Sequence, residues 1–241
     1  MTKVCIVSGG SQGIGLAIAE RFLSAGYHVY NFDLLSSETG HYVHCDVRSS
    51  VSIHRAVRHV MGKEGHIDVL ISNAGVHFSG NIEYTTEEDF ENLMAINVKG
   101  TYLLLKSCIS FLKEQQGNIV LIASEQAFVG KQNSFAYNAS KAAVAAMART
   151  MAADYADYQV RCNAVCPGTI DTPLYRNAIS RASKRTGFSI EQLNQQEAEL
   201  QLLKRIGKPE EVAELVYFLS SQQASFITGA LYTIDGGYTT T

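Results

Sequence analysis

The feature that most constrains this chain is an alternation, in which short β-branched, apolar runs recur between longer stretches of helical periodicity. Strands are expected at residues 3–7, 28–32, 42–45, 69–72, 118–122, 159–165 and 231–234, and amphipathic helices at 14–25, 50–63, 86–112, 135–155 and 209–220. The run Ile119-Val120-Leu121-Ile122 has no polar alternation, as expected of a strand covered on both faces. The rhythm therefore predicts an α/β fold: one Rossmann-like domain, a three-layer sandwich around a seven-stranded parallel sheet. At 241 residues the chain is long enough for one such core. Between Asp33 and His41 there is too little chain for a crossover helix, so a short turn or a vestigial helix is expected there. The polar stretch 174–207 carries helical patterns at 175–184 and 189–204 with no strand between them, the form of an inserted substrate lid.

Ligands of open parallel sheets bind beyond the carboxyl ends of the strands, so the informative residues follow each strand. After the first comes Gly9-Gly10-Ser11-Gln12-Gly13-Ile14-Gly15, a glycine turn that runs into a helix. Such a turn lets backbone approach a pyrophosphate, which free N–H groups and the helix dipole favour. The spacing Gly9, Gly13, Gly15 is not G-x-G-x-x-G. Asp33 ends the second strand about twenty residues on, where a carboxylate can bind a ribose 2′-OH and repel a 2′-phosphate. Neither Gln12 nor residues 34–37 supply an Arg or Lys, so the expected cofactor is NAD and not NADP.

Tyr137 and Lys141 lie one helical turn apart in a strongly helical stretch and should share a face. An ammonium beside a phenol favours the phenolate, which would make tyrosine a usable general base. The spacing alone is common in helices. Around it, however, nearly the whole chain resembles the classical short-chain dehydrogenase/reductase family. The shared elements come in the family's order: the glycine turn, Asp46-Val47, Asn73-Ala74-Gly75, Asn97, Ser124, Tyr137-Asn138-Ala139-Ser140-Lys141, Pro167-Gly168 and Asp235-Gly236-Gly237.

The resemblance implies that Tyr137 exchanges the proton, that Ser124 hydrogen-bonds the substrate oxygen, and that Lys141 binds the nicotinamide ribose and lowers the Tyr137 pKa. It also implies that Asn97 holds a water linking Lys141 to solvent. Asp46 and Val47 would meet the adenine, and Asn73, Ala74 and Gly75 the ribose side of the cofactor. Ile14 would lie beside the diphosphate, with Ser11, Gln12 and Gly15 in the same turn. Pro167, Gly168, Ile170 and Thr172 would border the nicotinamide. Ser8, Ser72 and Ala123 depart from commoner residues, but no catalytic position is missing. The expected function is NAD-dependent hydride transfer between a secondary alcohol and its ketone. The alternatives are an NADP-dependent carbonyl or 3-oxoacyl-acyl-carrier-protein reductase and a non-catalytic dinucleotide sensor. The family also implies a homotetramer built on the helices that carry Asn97 and Tyr137.

Composition narrows the partners. A formal charge of −3 gives no reason to expect nucleic acid, and no run is long enough to span a membrane. The five cysteines are irregularly spaced and odd in number, and no signal-like h-region is read at the N-terminus. Buried thiols and a cytoplasmic protein are expected. Cys162 with Cys166, and His41 with His44, have no further ligands of metal spacing, so no metal is expected. Candidate substrate-pocket residues are His77, Phe78, Glu125, Gln126, Phe128, Lys131 and Gln132, a polar mixture that suggests a small hydroxylated substrate. Arg176, Arg181, Lys184 and Arg185 are read mainly as a solvated helix face.

Overall fold

The computed structural model describes residues 1–240. Strands β1 (Val4–Ser8), β2 (His28–Asp33), β3 (His41–His44), β4 (Val69–Ser72), β5 (Asn118–Ile122), β6 (Arg161–Pro167) and β7 (Leu231–Ile234) form a single sheet. Its order is β3-β2-β1-β4-β5-β6-β7 and every pairing is parallel. The order reverses between β1 and β4, so the loops after these two strands diverge and open a crevice at the carboxyl edge. That crevice holds the site described below.

The helices are α1 (Gly13–Ser24), α2 (Ser50–Glu64), α3 (Glu87–Met94), α4 (Gly100–Gln115), α5 (Phe135–Asp154), α6 (Pro173–Thr186), α7 (Ile190–Leu200) and α8 (Pro209–Ser220). The period of two along β1 sends Cys5 and Val7 to one face, against Ile18 and Phe22 of α1 and Val216 and Leu219 of α8. Val4 and Ile6 go to the other, with Ile53 and Val60 of α2, Leu104 and Cys108 of α4, and Val144 and Ala148 of α5. All of these side chains are buried, and each large one contributes about 2 kcal/mol by leaving water. The three-layer sandwich is thus the one that continuous apolar strands require. The five cysteines are free and buried.

Two expected elements differ in detail. Residues 86–112 do not form one helix: α3 and α4 are joined by a π-helical turn, Ala95–Lys99, with Asn97 inside it. The cause is tertiary, since the Asn97 amide clamps Val76 by accepting from its N–H at 2.9 Å and donating to its C=O at 3.0 Å. Periodicity cannot register such a bond. The sixth strand begins at Arg161 and not at 159, because Gln159 takes a left-handed conformation, φ 58°, that ends the preceding turn. Between β2 and β3, residues 34–40 form no helix, only an irregular, bent connection.

Candidate active site

A cavity of about 740 Å³ runs along the carboxyl edge of the sheet. Its walls include Gly9, Gln12, Gly13 and Ile14 at one end, Asp33, Asp46 and Val47 beside them, Asn73, Ala74 and Gly75 below, and Ser124, Tyr137 and Lys141 at the other end. Pro167, Gly168, Ile170 and Thr172 close it from the side. Residues spread over more than a hundred positions of sequence therefore line one volume. Ser11, Gly15 and Asn97 stand behind this wall and act through their neighbours.

The glycine turn is held from beneath. Asn73 Nδ2 donates to the carbonyls of Ser8 and Gly9 at 3.1 and 2.9 Å, and the Ser8 hydroxyl accepts from the N–H groups of Asn73 and Ala74. Ser8, which departs from the commoner threonine, thus still supplies the bond that ties the β1 and β4 loops. Gly9 and Gly13 have φ of +67° and +56°, where any side chain is strained. At Gly15 the constraint is space: a Cβ there would lie 2.0 Å from the Gly9 carbonyl oxygen and 2.4 Å from Asn73 Nδ2. Gly15 lets α1 pack against the turn and does not itself face the cavity.

This end fits a dinucleotide. Helix α1 opens at Gln12 with no side-chain cap and no acidic residue in its first turn, so its N–H groups remain available at the cavity edge. Asp33 accepts from Ser11 N and Leu35 N, both at 3.0 Å, and these bonds fix the carboxylate at the end of β2. No Lys or Arg of the cavity wall belongs to the segment around it. Arg48, a wall residue that sequence reasoning did not single out, is bound by Asp46 at 2.8 and 3.0 Å. That pairing also holds the Asp46 carboxyl below the usual carboxylate range.

At the other end, Ser124 caps a short 3-10 turn, accepting from Gln126 N at 3.2 Å, which places its hydroxyl at the mouth of β5. Its Oγ donates to Oε2 of Glu125 in a short contact. Tyr137 and Lys141 share a face of α5 as expected. Lys141 Nζ lies 5.7 Å from the Tyr137 ring centre and donates to the Ile122 carbonyl at 2.9 Å. A Cβ at Gly75 would meet Asn97 Oδ1 at 3.3 Å and Lys141 Nζ at 3.5 Å, so these two groups flank the Gly75 backbone closely.

The electrostatics correct one expectation. Without ligand, Tyr137 is not made acidic. Burial of its hydroxyl raises its pKa and the Glu125 carboxylate raises it further, while only the Ser124 hydroxyl acts in the other direction. Lys141 is not among the causes of this shift; its ammonium donates to the Ile122 carbonyl. Lys141 itself is pushed down to about 8, first by desolvation, with Cys166 and Glu125 opposing. Asn97 is likewise committed to protein partners: besides Val76 its side-chain amide donates to Ser140 Oγ at 3.0 Å, and its backbone carbonyl accepts from the Thr101 hydroxyl at 2.8 Å. Its shown contacts are those of a clamp.

On the substrate side, His77, Glu125, Gln126, Lys131 and Gln132 line the cavity, whereas Phe78 and Phe128 do not. Among the four basic candidates on α6 only Arg185 reaches it, and Arg176 pairs with Asp171 at 2.7 Å. Glu197 of α7 was not anticipated. It accepts from Lys131 Nζ at 3.0 Å and from Thr169 Oγ1 at 3.1 Å and joins the inserted segment to the cavity wall. A charge in a polar helix gives no sequence signal of a partner so far away. Among the described residues, no group of three or more His, Cys, Asp or Glu is placed to hold a metal ion, and no helix is long and apolar enough to cross a membrane.

Known proteins resemble both the sequence and the fold. A family model described as enoyl-(acyl carrier protein) reductase, of the short-chain alcohol dehydrogenase type, matches residues 9–239. An uncharacterized oxidoreductase of Thermotoga maritima is 34% identical over 98% of this chain and 97% of its own length. The 2-(R)-hydroxypropyl-CoM dehydrogenase of Xanthobacter autotrophicus is 36% identical over 99% of both. Among solved structures, the aldohexose dehydrogenase of Thermoplasma acidophilum superposes with a TM-score of 0.94 at 37% identity, covering 100% of this chain and 95% of its own.

Proposed function

This chain belongs to the short-chain dehydrogenase/reductase family, oxidoreductases of alcohols and ketones, and we propose that it interconverts a small, hydroxylated secondary alcohol and its ketone with NAD. The observation that carries the reading is one cavity with a glycine turn and Asp33 at one end and Ser124, Tyr137 and Lys141 at the other. The dinucleotide supplies a hydride acceptor at C4 of its nicotinamide. In the oxidation direction the phenolate form of Tyr137 would take the hydroxyl proton, while Ser124, its one hydroxyl proton turned from Glu125 to the substrate, would steady the oxygen as its charge changes. Lys141 is free to leave the Ile122 carbonyl for the nicotinamide ribose, and from there its ammonium would oppose the effects that hold the phenol neutral. Asn97 keeps Val76 and Ser140 in place behind it. Ile14 would hold the diphosphate, Asp46 and Val47 the adenine, Asn73, Ala74 and Gly75 the ribose, and Pro167, Gly168, Ile170 and Thr172 the nicotinamide.

NAD is preferred to NADP because the fixed Asp33 carboxylate would face a 2′-phosphate, residues 34–37 carry no Lys or Arg, and the Arg48 guanidinium on the same wall is already bound by Asp46. The segment 174–207 acts as the substrate lid, latched through Glu197. A cytoplasmic homotetramer is the assembly proposed, consistent with the exposed Phe90, Tyr102 and Phe135 on α3, α4 and α5. The polar wall, together with an aldohexose dehydrogenase among the relatives, supports a hydroxylated substrate. Absorbance of the reduced cofactor over a panel of polyols, sugars and hydroxy acids tests the reading with each dinucleotide. NAD-linked turnover at least tenfold above NADP-linked turnover is expected. Turnover favouring NADP, or acting only on acyl-carrier-protein thioesters, would contradict it.

A further inference from the structure

Glu125 has no part in the proton transfer described above, yet its carboxyl lies beside the reacting centre with the residue only 4% exposed. It accepts the Ser124 hydroxyl, and its charge acts on both Tyr137 and Lys141. Two cations feel this charge and both are bonded elsewhere, Lys131 Nζ to both oxygens of Glu197 at 3.0 and 3.3 Å and Lys141 Nζ to the Ile122 carbonyl at 2.9 Å. Burial raises the Glu125 pKa, with hydrogen bonds from Ser124 and Gln126 and the charge of Lys131 opposing. A buried carboxyl without an ion-pair partner is costly, and a ligand that hydrogen-bonds it offsets that cost. Two neighbouring polar atoms are also buried without a partner, Gln126 Oε1 and His77 Nδ1. The His77 ring stands 4.7 Å from that of Tyr137, and burial holds its pKa down at about 4, so near neutral pH it is an uncharged hydrogen-bonding group.

We infer that Glu125 is a specificity residue which hydrogen-bonds a hydroxyl on the carbon next to the one oxidised, making vicinal diols, polyols and sugars the substrate class of this site. This rests on the alcohol-oxidation reading above. Two gauche oxygens on adjacent carbons stand about one O–H···O hydrogen-bond length apart, roughly 2.8 Å. A substrate whose reacting oxygen takes the Ser124 hydroxyl proton leaves the adjacent Glu125 carboxyl without that bond, and the second oxygen, one hydrogen-bond length away, takes its place. A hydroxyl both donates and accepts, so it matches Glu125 in either protonation state. The reaction is CH–OH plus NAD⁺ giving C=O, NADH and a proton. The hydride leaves the carbon, the proton leaves through Tyr137, and Glu125 exchanges no atoms with the product, an α-hydroxy ketone.

The test compares cyclohexanol with cyclohexane-1,2-diol as NAD-linked substrates of the wild-type protein, E125Q and E125L. The wild type is expected to show a kcat/KM for the diol at least tenfold above that for cyclohexanol, with the difference mainly in KM. E125L should reduce this diol-to-alcohol ratio at least tenfold, and E125Q, whose amide can still bond a hydroxyl, should restore part of it. A wild-type ratio of one or below would overturn the inference while leaving alcohol oxidation intact, and so would a ratio unchanged in both variants. Turnover of neither compound, nor of any other secondary alcohol, with either dinucleotide would remove the underlying reading as well. Binding of the two compounds to the complex with reduced cofactor, followed by nicotinamide fluorescence, gives the same comparison without turnover, and equal affinities there would also overturn it.

Discussion

The two ends of the cavity are built from different materials. At the glycine turn the wall is backbone, fixed by steric exclusion and by side-chain hydrogen bonds to it, as where the half-buried Asn73 holds the Ser8 and Gly9 carbonyls. At the substrate end the wall mixes apolar side chains of α6, Leu174, Ala178, Ile179 and Ala182, with polar ones tied by hydrogen bonds and charge, as where Lys131 and Thr169 meet Glu197. The first construction admits almost no change, since every atom is touched by another. The second is adjustable, because a Glu or Lys can be replaced without moving the sheet. One end suits a ligand shared by a whole family and the other a ligand that differs between members.

This contrast can be attacked at either end. Gly15→Ala should have the largest structural effect, because the new Cβ must displace the Gly9 backbone. A loss of about 3 kcal/mol by denaturant unfolding, together with weakened NAD binding, is expected, and a neutral variant would show that the turn is softer than its contacts imply. Asp33→Ala removes the ribose anchor and the repulsion of a 2′-phosphate. NAD binding should weaken by about 2 kcal/mol, roughly thirtyfold, while NADP binding strengthens, both measurable by calorimetry. Glu197→Gln should cost the least, about 1 kcal/mol or below in stability, as expected for a partly exposed ion pair. Its effect should fall on the KM for the alcohol. Should it instead match Gly15→Ala in stability, the two ends would not differ in kind.

The same contrast explains what could be read from the sequence. The sheet was legible because buried strands are continuous apolar runs such as Ile119 to Ile122, and the cofactor end because glycines and Asp33 are forced by sterics and charge at fixed places along the chain. The shared face of Tyr137 and Lys141 followed from helical spacing. The π-helical turn at Ala95–Lys99 was not legible, because its cause is a bond from Asn97 to Val76 far along the chain. Nor was Glu197 as a latch, or the acidity of Tyr137. Spacing sets which residues are neighbours, but burial and the Glu125 carboxylate, with the Ser124 hydroxyl opposing, set the state of the phenol.

The central claim is that the Tyr137 hydroxyl is the proton-transfer group of this cavity. Tyr137→Phe, which keeps the ring against His77 and removes only the oxygen, tests it most directly when turnover and NAD affinity are measured on the same preparation. The account predicts NAD affinity within about threefold of wild type and a kcat lower by about a hundredfold to ten-thousandfold. Turnover near the wild-type rate with NAD still bound would contradict it.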